Sequence, residues 1–181
     1  GASVTAIVGI VHNGRVWLGA DTAVTAGDFV VGETIKVWEQ GEFVFAFTGS
    51  VREQQIVQHR VVLPDVAEDV DMLHYLAVDF IDAIRQARKD AGYSEHHATG
   101  SEKSPTLLIG YYDRLFVLHC DYSLSEHLDF VAHGSGQAIA FGSLHTSAQV
   151  WRSPEKRINA ALAAACAGDV YCRQPFTIIH T

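Results

Sequence analysis

The chain has 181 residues, 48% hydrophobic and 19% charged, with a net charge of −8 from 21 acidic and 13 basic side chains. That length and balance suit one folded domain with a substantial core, and exclude a disordered, collagen-like or coiled-coil chain. No Lys/Arg cluster is available to neutralise phosphates, so neither nucleic acid nor an anionic membrane surface is an expected partner.

No apolar run nears the ~18 residues of a transmembrane helix, and no charged segment followed by an apolar one opens the chain. Secretion is therefore not indicated. Cys120, Cys166 and Cys172 are an odd, sparse set for a disulfide framework, so a reducing, cytoplasmic setting is the expectation. Residues 1–4, Gly1-Ala2-Ser3-Val4, read as a remnant of tag removal or a short propeptide, and residues 5–181 as a single domain.

In chain order, Val4 to Val11 is rich in strand formers, and His12-Asn13-Gly14 is a hairpin signal returning the chain through Arg15 to Asp21. A turn-rich stretch with Gly27 and Gly32 follows. Thr34 to Trp38 and Phe43 to Thr48 predict a strand pair turning at Gln40-Gly41-Glu42. A short helix from Val51 to Val61 precedes a longer one over Asp71 to Ala91, which places Leu73, Leu76, Val78, Phe80, Ile81 and Ile84 largely on one side and stops at Gly92. Tyr93 to Ser104 is a polar loop. Strands resume at Thr106 to Tyr112, Leu115 to Cys120 and Leu128 to Ala132. Gly134-Ser135-Gly136 leads into a helix from Gln137 to about Val150, and Ser153-Pro154 opens another that runs to Gly168. Phe176 to His180 predicts the last strand. Strands, helix pair, strands, helix pair, strand: two sheets could stack with a helix pair over each outer face.

Several common sites are absent from the sequence. It has no phosphate loop, and His133-Gly134-Ser135-Gly136-Gln137 does not match a G-x-S-x-G elbow. The ten histidines lack the paired spacing of a zinc site, so no metal or other cofactor is expected; His96-His97 reads as a solvated pair. Cys172 could be a thiol nucleophile, although a buried structural cysteine is the commoner case. The informative group lies at the front. A hairpin turning near Asn13 brings Thr5 and Asp21 to one end of a sheet, and Lys36, read on a following strand, could reach between them. A lysine paired with an aspartate can lower the pKa of a neighbouring proton. Each residue also has a bland reading: Thr5 as a β-former, Asp21 as a turn residue, Lys36 as a surface charge.

The run Thr5-Ala6-Ile7-Val8-Gly9-Ile10, then Asn13-Gly14-Arg15-Val16, then Leu18-Gly19-Ala20-Asp21 resembles the opening of an HslV or proteasome β subunit. Thr34-Ile35-Lys36-Val37 is similar to the segment carrying that family's catalytic lysine, and Phe45-Ala46-Phe47-Thr48-Gly49-Ser50 to the strand ending in its oxyanion glycine. Gly134-Ser135-Gly136 and Ala167-Gly168-Asp169 resemble the segments with its supporting serine and aspartate. The pieces span nearly the whole chain in the family's order.

The resemblance implies an α+β N-terminal-nucleophile hydrolase: a four-layer αββα sandwich of two stacked antiparallel sheets flanked by helix pairs. It implies Thr5 as nucleophile, Asp21 and Lys36 as its activating pair, Ser135 and Asp169 as supports and Gly49 as oxyanion donor. It also implies Thr25 on the substrate backbone, with Val24, Trp38, Phe47 and Val51 lining an apolar pocket. The activity would be a threonine endopeptidase acting on unfolded protein or peptide inside a homo-oligomeric ring or double ring, fed by an ATP-dependent unfoldase. A catalytically silent ring or scaffold subunit and an amidase acting on a small amide are the alternatives. Three positions depart from the family pattern. Val4 stands where self-processing subunits have glycine, Ala6 where many have threonine, and the Asp21–Lys36 interval is one residue short. If Val4 marks an alternative start codon read as methionine, removal of that residue would expose the Thr5 amine.

Overall fold

Along β6 (Phe43–Thr48) the side chains alternate: Phe43, Phe45 and Phe47 pack with helices, while Val44 and Ala46 pack against a second sheet. The same alternation recurs on β1 (Ala6–His12), where Ile7 faces one way and Ala6, Val8 and Ile10 the other. These periods follow directly from the sequence, and they organise the core. A computed structural model describes residues 5–96 and 98–181. Residues 1–4, read as a tag remnant or propeptide, and His97 of the histidine pair lie outside the described residues.

One sheet has the order β10-β1-β2-β11, with β2 over Arg15–Ala20, β10 over Phe130–Gly134 and β11 over Thr177–His180. The second runs β5-β6-β7-β8-β9, with β5 over Val37–Gln40, β7 over Thr106–Tyr111, β8 over Arg114–Leu118 and β9 over Leu124–His127. Every pairing is antiparallel. One buried cluster joins the two sheets, through Ile7, Val16, Leu18, Val44, Leu108 and Val117. A second joins the five-stranded sheet to α1 (Val51–Arg60) and to the helical run Met72–Asp90. A third joins the four-stranded sheet to α4 (Gln137–Ser147) and α5 (Pro154–Gly168). Ser50 caps α1 by accepting from Glu53 N at 3.1 Å, and Ser153 caps α5 by accepting from Lys156 N at 3.2 Å.

Several expectations are corrected. The long helix is α2 (Met72–Tyr75), a π turn (Leu76–Phe80) and α3 (Ile81–Asp90). The wider turn holds an extra residue, so the buried set Met72, Tyr75, Leu76 continues as Phe80, Ile81, Ile84. Leu73 and Val78, expected on that face, are exposed instead. The turn-rich stretch after Asp21 is a hairpin, β3 (Ala23–Ala26) and β4 (Phe29–Glu33), which among the described residues forms a two-stranded sheet of its own; it lacks a hydrophobic period because it buries little. Strand β9 also goes unread for that reason, and the strand expected at Leu128 begins at Phe130. Lys36 is on no strand; it sits immediately before β5. Cys166 and Cys172 form a disulfide, so three cysteines do include a covalent link, a local one with Cα atoms 4.6 Å apart.

Among the described residues, no helix is long and apolar enough to cross a membrane.

A polar group borders the sheet interface. His119 and His127 contact Ser125 Oγ at 2.8 and 3.0 Å, and the His133 ring lies 5.5 Å from that of His119. Burial, reinforced by the two neighbouring histidines, pushes His133 from 6.5 to about 4. The folded state thus binds the proton less readily than the unfolded chain. The resulting stability is present above about pH 6.5 and is lost as pH falls toward about 4. The melting temperature of His133→Gln is therefore expected to fall less steeply than that of the parent between these limits; parallel slopes would disprove this assignment.

Candidate active site

The β1–β2 register pairs Ile7 with Ala20, which leaves Thr5 and Asp21 together at one end of the four-stranded sheet. Asp21 N donates back to Ala6 O at 3.2 Å, closing that end. The Asp21 carboxylate is fully buried and accepts from four donors. Oδ1 takes Ala6 N at 3.2 Å and Lys36 Nζ at 2.9 Å; Oδ2 takes Ala23 N at 3.1 Å and Arg173 N at 3.4 Å. Backbone from both ends of the chain thereby fixes the carboxylate alongside the lysine.

Lys36 Nζ also donates to Thr5 Oγ1 at 2.8 Å. All three side chains are buried, and Phe47 N donates to Lys36 O at 2.9 Å, anchoring the lysine backbone to β6. Burial lowers the Lys36 ammonium below the ordinary lysine value, and the Asp21 carboxylate opposes that shift. An ammonium so placed presents a fixed donor to the threonine oxygen in a low-dielectric surround.

The other side of Thr5 faces β10 and the loop beyond it. Ser135 Oγ lies 3.3 Å from Thr5 N and also donates to an Asp169 carboxylate oxygen. Gly134 makes this approach possible. Its φ is +102°, and a Cβ there would collide with the Thr5 carbonyl. Gly49 follows β6 at φ +150°, where a side chain would press on the Phe47 ring.

Beside this group opens a cleft of about 460 Å³. Of the residues expected there, Val24, Thr25, Phe47 and Val51 line it, together with Thr5, Lys36 and Gly49. Trp38 does not. Alternation on β5 turns its ring into the helix-side cluster, where it stacks on Phe45 at 5.4 Å. The expectation of an apolar pocket also needs correction, because Glu53, Gln54, Glu95 and Lys103 line it too. Glu53 is pushed up to about 7 by burial, with Arg88 opposing the shift. Sequence reading missed this floor: Glu53 and Gln54 look like the outer face of a helix, and Glu95 and Lys103 lie in the polar loop. Cys120 completes the wall from the end of β8. Among the described residues, no group of three or more His, Cys, Asp or Glu side chains is disposed to hold a metal ion.

No protein-family model matches the chain, and no curated protein matches it. Solved structures do, and an HslV is among them. BPH of Thiobacillus denitrificans, solved in complex with epoxomicin, aligns over 98% of this chain and 98% of its own, with a TM-score of 0.83 and 19% identity. Eukaryotic HslV from Trypanosoma brucei aligns over 97% and 98%, at 0.69 and 17%. The Gly-1 mutant of Anbu from Hyphomicrobium sp. strain MC1 aligns over 96% of this chain and 81% of its own, at 0.70 and 19%. At these identities the shared property is the fold, and the chemistry rests on the geometry of this chain's own residues.

Proposed function

We propose that this chain is a threonine endopeptidase subunit of the proteasome-β and HslV kind, with Thr5 as nucleophile. The observation that carries the reading is the Lys36 ammonium held between Thr5 Oγ1 at 2.8 Å and Asp21 at 2.9 Å, at the edge of a substrate-sized cleft. The shared fold and the three core interfaces support a four-layer αββα sandwich as its frame.

In the working form Thr5 is the first residue, and its α-amine, with an ordinary pKa near ~8, takes the hydroxyl proton. Oγ1 then attacks the peptide carbonyl, and Lys36 stabilises the developing alkoxide. The Gly49 N–H would receive the oxyanion, a contribution of about 3 kcal/mol. The amine passes its proton to the departing amine, and water hydrolyses the acyl ester. Ser135, itself held by Asp169, orients the Thr5 amine. Thr25 would pair with the substrate backbone as a strand, beside the polar-floored pocket.

An internal amide nitrogen has no basic lone pair, so a Val4–Thr5 peptide bond removes the base. Protein beginning at Thr5 is expected to hydrolyse fluorogenic peptides, and the 181-residue form to be inactive or severely impaired. Intact mass must accompany the assay. Equal activity of the two forms would exclude the terminal-amine mechanism. Because a relative was solved with epoxomicin, this compound is a fitting probe, expected to add its mass only to the Thr5-started form. Native mass should show an assembly of at least six subunits. A monomer without activity would remove the ring-peptidase reading; hydrolysis of small amides but no peptides would favour the amidase. An unfoldase partner would account for feeding of folded substrates into a closed ring.

A further inference from the structure

We propose that the Cys166–Cys172 disulfide is a positioning clasp for Asp169, so that its oxidation state sets the turnover of the Thr5 site. The inference rests on the roles read above for Thr5, Ser135 and Asp169. Helix α5 ends at Gly168, and Asp169 is the next residue, midway around the loop that the disulfide closes. Inside the loop Tyr171 N donates to Asp169 Oδ1 at 3.0 Å and Cys172 N to Asp169 O at 3.2 Å. The remaining carboxylate oxygen accepts from Ser135 Oγ.

Outside the loop, Tyr171 Oη donates to Asp28 Oδ1 at 2.7 Å, Thr22 N to Arg173 O at 3.5 Å and Thr22 Oγ1 to Pro175 O at 3.1 Å, yet the segment itself is mostly exposed. Val170 is 77% exposed, and Arg173, Gln174 and Pro175 are exposed as well. Cys172 is the buried residue among them, packed beside α5 in the cluster of Ile158, Leu162 and Ala165. The buried anchor of the loop is thus also its cross-link. Just past it, Arg173 N reaches Asp21 Oδ2 at 3.4 Å, so one short stretch touches both carboxylates of the site.

Cys166 is half-buried and is the more exposed of the two cysteines, so it is the sulfur a small dithiol would attack. In the exchange the S–S bond breaks, and each cysteine sulfur gains one electron and one proton. The dithiol supplies both pairs and closes to its own disulfide. Two thiols do not sit at bonded distance, so the sulfurs part and the loop regains the freedom the cross-link removed. Asp169, three residues from each sulfur, moves with the loop, and Ser135 loses its acceptor. Of the cleft walls, Phe47 and Val51 belong to β6 and α1, and Val24 and Thr25 to the β3–β4 hairpin, whose turn residue Asp28 accepts from Tyr171 Oη at 2.7 Å. Turnover should fall far more than KM changes. An anionic Asp169 favours the protonated Thr5 amine, so its departure should also move the acid limb of kcat/KM to lower pH.

The test uses assembled protein beginning at Thr5, assayed before and after dithiothreitol, with alkylation and mass counting the thiols. Reduction is expected to lower kcat about tenfold with KM within about twofold. Asp169→Asn should show a similar loss and no further response to dithiothreitol, whereas Cys120→Ser should keep the response. A purely structural disulfide would lower kcat further in Asp169→Asn. That result, or an unchanged kcat with both thiols alkylated, would overturn the proposal. Hydrogen exchange at residues 169–173 gives a readout independent of activity, and unchanged protection on reduction would also overturn it. If the oxidised protein cleaves no peptide, the peptidase reading fails and takes the turnover claim with it, while exchange still decides whether the disulfide holds the Asp169 loop.

Discussion

Thr5→Ala, in protein beginning at residue 5, is expected to lower kcat for peptide hydrolysis by roughly 10⁴- to 10⁶-fold. The substitution removes the attacking oxygen, the hydroxyl to which Lys36 Nζ donates at 2.8 Å beside the cleft. The fold should persist, because Lys36 keeps Asp21 as partner at 2.9 Å and alanine is tolerated at that position beside a strand. Lys36→Ala should fall into the same inactive range for a different reason: the threonine oxygen remains, but the ammonium 2.8 Å away that stabilises its anion is gone. Substitution of the exposed Glu39, close by in sequence, should change kcat little. Wild-type turnover in Thr5→Ala would reject Thr5 as nucleophile. Most activity surviving in Lys36→Ala would reject the assignment of this lysine.

The second large effect is on stability. Arg88 is 1% exposed and sits between Glu53, 3.3 Å away, and Glu102, 3.4 Å away. It also donates to Tyr122 Oη at 2.7 Å and to Lys103 O. Arg88→Ala is expected to cost about 3–5 kcal/mol, because it strands a buried carboxyl and several acceptors. The cost should depend on pH. Glu53 already titrates near 7, above its unfolded 4.5, with Arg88 restraining the rise. Removing the guanidinium raises it further. A carboxyl held protonated in the fold contributes stability at low pH and loses it as pH rises through the folded pKa. The variant's deficit in urea melts should therefore be larger at pH 8 than at pH 5.5. An equal deficit at both would mean that the lost hydrogen bonds, and not the Glu53 charge, dominate.

Much of this protein was legible in its sequence because short-range periodicity encodes it. The alternation of Phe43-Val44-Phe45-Ala46-Phe47 assigns a strand and both its faces, and Ser153-Pro154 marks the start of α5 to the residue. Thr5 and Asp21 could be placed together because a tight hairpin fixes register, and register fixes which residues meet at a sheet end. What only the tertiary structure decided were contacts between segments with no local rule to join them. Ser135 reaches Thr5 across 130 residues of chain, and Tyr171 reaches Asp28 across 143. The β3–β4 hairpin and β9 bury too little to leave a hydrophobic period. Trp38 was assigned to the cleft by likeness, yet a one-residue alternation turns it into the core. The charged cleft floor and the Cys166–Cys172 link are likewise products of packing: helix α1 brings Glu53 inward beside Arg88 of α3, and the end of α5 folds back on itself to bring two sulfurs together.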